Sequence, residues 1–90
     1  MTPVEITAWA TKNGWTKDSY GNLKKISSGI VYRIKLQKLN LRIERKGVYE
    51  NADVKWEKLS SAYYRDAHIN TYVGARRPQL IVDKLNVGEI

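Results

Sequence analysis

Lys24, Lys25, Arg33, Lys35, Lys38, Arg42, Arg45 and Lys46 crowd into the stretch from Leu23 to Lys46, with Glu44 as the one acidic residue among them. That stretch therefore carries +7, the formal charge of the whole 90-residue chain, while acidic and basic groups cancel over the remainder. A single-signed field confined to one segment attracts a polyanion far better than the same charge spread evenly. The chemistry on offer is contact with backbone phosphates, and nucleic acid is the expected partner. An acidic protein surface or a nucleoprotein complex is the alternative, because it would select the same residues.

Two further groups could add to such contacts. Tyr63-Tyr64-Arg65, and Tyr20 near Lys24 and Lys25, have the composition of base-stacking sites, with Tyr64 as the contact candidate and ring burial as the competing role. Arg76-Arg77-Pro78 lies in an expected loop, where paired arginines can grip phosphates or serve solubility alone. Catalytic chemistry is poorly provided for. His68 is the single histidine, and Asp66, two positions away, would point elsewhere on a helix. Asp53 and Glu57, with Glu50, could hold Mg²⁺, but Lys55 between them neutralises the pair more simply. The six glycines are dispersed rather than gathered into a phosphate-cradling loop. No enzyme activity, cofactor or metal is expected.

These side chains need a scaffold, and the pattern around them suggests one. Thr2-Pro3-Val4-Glu5 has the residue types of a capping box with proline at the first helical position, and Asn13-Gly14 suits a left-handed stop. A helix is expected over about residues 3 to 13, docking through Val4, Ala8 and Trp9, with Trp15 folding back beside it. Residues 16 to 22 are turn-forming. The period then changes to two, giving strands at 30 to 37 and 39 to 44 with Ile30, Tyr32, Ile34, Leu36, Leu39, Leu41 and Ile43 on one face. A two-residue loop between them would set Arg33 opposite Arg42, a like-charge pair seeking an anion, whereas a four-residue loop would set Arg33 opposite Glu44. Ser28-Gly29 turns Leu23 to Ser27 onto the first of these strands, pairing Leu23 with Ile34 and Lys24 with Arg33. Either way, Lys24, Arg33, Lys35, Arg42 and Lys46 share the face away from the helix, with Lys38 at the hairpin tip.

Downstream, Val54 to Leu59 is expected as a fourth strand, and Ser60-Ser61 as the cap of a short helix through Ala67. Leu80-Ile81-Val82 is a further strand. Trp9, Trp15, Tyr32 and Trp56 are assigned to the core. The apolar C-terminal residues Leu80 to Ile90 pack within the chain or pair with a second copy, so the protein is expected as a monomer or as a homodimer through that segment.

Ninety residues support one domain, 1 to 90, with a single thin core that buries about 60 to 65% of its unfolded surface. Such a chain acts through its surface rather than through an enclosed cavity. Cysteine is absent, which removes disulfides, zinc-thiolate sites and thiol nucleophiles. No apolar run approaches the ~20 residues of a membrane span, so a soluble cytoplasmic protein is expected, without membrane contact. The fold class is α+β, an antiparallel sheet of three to five strands with the N-terminal helix on one face and room for a second short helix. The order helix, three-stranded antiparallel sheet, short helix resembles the layout of double-stranded RNA-binding domains, a likeness of fold that carries over no residues. The function expected is non-catalytic, phosphate-directed nucleic-acid binding with weak sequence preference. A small regulator or inhibitor that docks on an acidic protein is the alternative.

Overall fold

The computed structural model describes residues 1–73 and 77–90. Helix α1 runs Pro3–Lys12 and begins as its first residues dictate. Thr2 Oγ1 accepts from the Glu5 amide at 3.2 Å, and Glu5 Oε1 accepts from the Thr2 amide at 3.0 Å. The carboxylate is held below its usual range chiefly by the backbone hydrogen bond from Thr2. At the other end Asn13 Nδ2 donates to the Trp9 carbonyl at 2.8 Å, and Gly14 takes φ +85, turning Trp15 back under the helix. The docking stripe is Ile6, Trp9 and Ala10, at the i, i+3, i+4 spacing of one helix face. Val4 is 78% exposed and Ala8 is exposed too, so the stripe lies further round the helix than Val4, Ala8 and Trp9 suggest.

Five strands follow as an antiparallel meander, in the order β1 (Thr16–Lys17), β2 (Leu23–Ser27), β3 (Ile30–Leu36), β4 (Asn40–Gly47) and β5 (Glu57–Tyr63). Ser28 and Gly29, at φ +51 and +76, form the two-residue turn between β2 and β3, whose left-handed backbone matches the strands' twist. Leu23 pairs with Ile34 and Lys24 with Arg33, as the alternation demands. Between β3 and β4 the chain adopts the four-residue loop: Leu36 pairs with Leu41, and the Gln37 amide donates to the Asn40 carbonyl at 2.9 Å. Leu39 falls in that loop and is 69% exposed, not in the strand the alternation places it in.

The expected helix after Ser60-Ser61 is instead the end of β5, which continues through Tyr63 before a single 3-10 turn at Tyr64–Asp66. Hydrogen bonding to β4 outweighs the capping potential of the serines, because Ser60 and Ser61 pair with Ile43 and Arg42. A second antiparallel sheet, in the order β6 (His68–Asn70), β7 (Gln79–Val82), β8 (Leu85–Asn86), is closed by a 3-10 turn at Val87–Glu89.

One hydrophobic cluster joins these parts. Leu23, Ile34, Leu41 and Ile43 come from the large sheet, Ile6, Trp9 and Ala10 from α1, and Leu80, Val82 and Val87 from the C-terminal region. All six sheet and C-terminal residues from Ile34 to Val87 in that set are fully buried, so the apolar C-terminal residues are used inside the chain. Ser60 Oγ, buried, lies 3.2 Å from Asp83 Oδ2 and links β5 to the β7–β8 turn. The result is an α+β fold in which α1 and the C-terminal region pack on one face of the five-stranded sheet, while Trp56 lies over the middle of the other. No helix among the described residues is long and apolar enough to cross a membrane.

Candidate nucleic-acid interface

The uncovered face is set by strand alternation, which sends every second side chain away from α1. On β2 this is Lys24 and the exposed Ile26, on β3 Val31, Arg33 and Lys35, and on β4 Asn40, Arg42, Glu44 and Lys46. Five of the ten basic and aromatic residues expected to make contacts, Lys24, Arg33, Lys35, Arg42 and Lys46, therefore come together, while Lys38 is exposed in the β3–β4 loop beside them.

Glu44 organises the middle of this face. Its carboxylate, with the side chain 5% exposed, accepts from Arg33 Nε at 2.9 Å and Nη2 at 2.7 Å through Oε1. Arg42 Nε stands 3.1 Å from Oε2, an ion pair without an aligned hydrogen bond. One carboxylate thus offsets two guanidinium groups. Lys35 sits directly opposite Arg42, a like-charge pair that opposes folding unless an anion lies between or above it. Lys24 is 3.6 Å from Asp18 at the β1 edge, with its side chain 39% exposed. Lys35 and Lys46 have no carboxylate within ion-pair distance among the described residues.

Trp56 is the centre of the arrangement and belongs to this face rather than to the core. The Arg33 guanidinium lies 4.2 Å from its ring centroid, and the Lys24 and Lys46 ammonium groups each lie 5.8 Å away. Cations at such distances are attracted to the negative face of the indole by about 0.5 to 2 kcal/mol each, the closest most strongly. What puts Trp56 here is a β-bulge. Glu44 pairs with Lys58, but Ile43 pairs with Ser60, so Leu59 is one residue too many on β5. The extra residue reverses the alternation: Ser60 and Ala62 face the core side, while Lys58, and Trp56 before it, turn to the open side. Lys58 and Trp56 were missed as contact residues because regular alternation gives no sign of the bulge. The i, i+2 spacing of Trp56 and Lys58 is the one signal that the two share a side.

The remaining candidates are elsewhere. Lys25 points to the covered side, where its Nζ donates to the Asn13 carbonyl at 3.0 Å behind α1. Arg77 is exposed and lines a shallow depression with Lys25, Asn13 and Glu89, away from the open face. Arg76 lies outside the described residues. Tyr64 packs against the core, its hydroxyl donating to the Gln37 carbonyl, and burial raises its pKa. Its neighbour Tyr63 is the ring on the open face, opposite Asn40 and 56% exposed, with the Arg65 guanidinium 5.3 Å from its centroid. Arg45 is on the covered side and pairs with Glu57 at 2.8 Å, so Glu57 is not free to join Asp53 around a cation. No three His, Asp or Glu side chains gather as metal ligands among the described residues.

Chemically, the open face can hold anions in a row and offer them a flat aromatic neighbour. No protein-family model, curated protein or solved structure matches this chain.

Proposed function

We propose that the open face of the five-stranded sheet binds nucleic acid, without catalysis, through contacts to backbone phosphates. The observation that supports this best is the gathering of Lys24, Arg33, Lys35, Arg42, Lys46 and Lys58 from four neighbouring strands on one side, against Glu44 as the single strand carboxylate there. Strand spacing of about 4.8 Å and a same-side repeat of about 7 Å bring several of these cations within reach of one phosphate backbone. The Lys35 and Arg42 repulsion is relieved when an anion bridges them, so binding and local stability favour each other. Contacts of this kind position a chain without reading its sequence, and sequence preference is weak.

Fluorescence anisotropy with short labelled DNA and RNA at several salt concentrations tests the proposal. Five phosphate contacts give a log-log salt slope of roughly −3.5 on a single strand to −4.5 on duplex. A slope flatter than −1 contradicts it. A stoichiometric complex with an acidic protein that persists at high salt, together with no binding to nucleic acid, would assign the same face to a protein partner instead.

A further inference from the structure

Resting on that reading, we infer that the nucleic acid is single-stranded and that Trp56 stacks one of its unpaired bases. Three features of the open face lead there. Trp9 and Trp15 are buried at 5% and 2% exposure, whereas Trp56 keeps part of its surface in solvent, on the side of the sheet that α1 leaves uncovered. Its ring is fixed in place by Arg33 at 4.2 Å, itself clamped to Glu44, so the indole is a prearranged surface rather than a free side chain. Lys24 and Lys46 lie beside it, each with its ammonium 5.8 Å from the centroid, and supply positive charge for the backbone of a strand whose base stacks there.

This combination of an aromatic platform and flanking cations suits a strand whose bases are exposed. In a duplex every base face is already covered by its neighbours, so an indole on a flat sheet has nothing to stack on. Among the described residues the open face carries no helix or protruding ribbon to enter a major groove. Tyr63, at the other end of β5 and on the same side, offers a second exposed ring about 20 Å along the strand, with Arg42 lying between the two. A single strand lying along β5 would thus meet Trp56, Arg42 and Tyr63 in turn.

The experiment compares three probes of about 12 nucleotides: oligodeoxythymidylate, an abasic deoxyribose-phosphate chain of equal length, and a duplex. Intrinsic tryptophan emission is read together with anisotropy. Because the other two tryptophans are buried, quenching by stacking reports on Trp56. The expected result is quenching by the thymidylate strand alone, and affinity for it about 5- to 150-fold above that for the abasic chain. Trp56→Leu should remove that preference while leaving abasic-chain affinity and its salt slope in place, with circular dichroism checking the fold. Equal affinity for abasic and base-bearing strands without quenching overturns the stacking inference and leaves phosphate binding standing. No binding of any probe at low salt overturns both.

Discussion

Glu44 has the largest individual effect expected of any charged residue here. It is the buried counter-ion of Arg33 and Arg42 at once, and its loss leaves both guanidinium groups without a carboxylate, with Lys35 opposite Arg42. Glu44→Gln should therefore destabilise the protein by about 3 kcal/mol in urea unfolding, near the lower end for breaking a buried pair. Lys35→Ala should stay within about 0.5 kcal/mol of the parent, because its ammonium has no ionic partner among the described residues and faces Arg42. Arg33 is by contrast a poor residue for testing function, since replacing it disturbs both Glu44 and Trp56. Glu5 sets a different dependence. Its folded-state carboxyl is held low by Thr2, so the stability it contributes is present above the usual carboxylate pKa and is lost as pH falls through the lowered value. Melting temperatures measured from pH 7 to pH 3 should converge for the parent and Glu5→Gln at the acid end, and a constant offset would contradict this role for the carboxylate.

Turns and bulges decide which side each strand presents. The β7–β8 turn is made by Asp83 and Lys84 at φ +44 and +69, a left-handed pair of non-glycine residues. Asp83→Asn with Lys84→Gly supplies the residues such a turn prefers and should add roughly 1 kcal/mol in chemical denaturation, reduced by whatever the Asp83 contact to Ser60 contributes. Gly88 is constrained by space, because a methyl group there would lie 2.6 Å from the Pro78 carbonyl oxygen and 2.7 Å from Gln79 Cα. Gly88→Ala should cost about 1 to 3 kcal/mol, and an unchanged unfolding midpoint would show that the C-terminal turn yields easily.

Most of this level is legible in residue types. Thr2 to Glu5 mark the helix start, Ser28-Gly29 marks the first hairpin, and alternation across Leu23, Ile34 and Ile43 sets the register once the loop length is known. What alternation cannot supply is the Leu59 bulge, which depends on how β5 meets β4 and which moves Trp56 from an expected core position to the open face. The Ser60-Ser61 pair misleads for a related reason: its capping chemistry is local, while pairing to Ile43 and Arg42 depends on the rest of the sheet. Of the residues that could contact a ligand, the lysines and arginines on alternate positions can be read from the chain. Lys25 is ruled out by the same alternation: with Lys24 on the open side it points to the covered one, where it reaches Asn13.

At the scale of the whole molecule, α1, the second sheet and the C-terminal turn cover one side of the large sheet, and the other carries Trp56 at its middle. Charge follows the same division. The open side concentrates six basic side chains around Trp56 and Glu44, whereas Arg77 and Lys84 belong to the other half of the structure. If function is carried by location and not by total charge, two variants of equal net charge should behave differently. Lys35→Glu with Lys46→Glu removes two cations from the open face, and Arg77→Glu with Lys84→Glu removes two from elsewhere. Binding to a labelled single strand at 0.1 M salt should fall roughly 25-fold or more in the first variant and change little in the second. Equal losses in the two variants, or none in either, would contradict the assignment of binding to the open face.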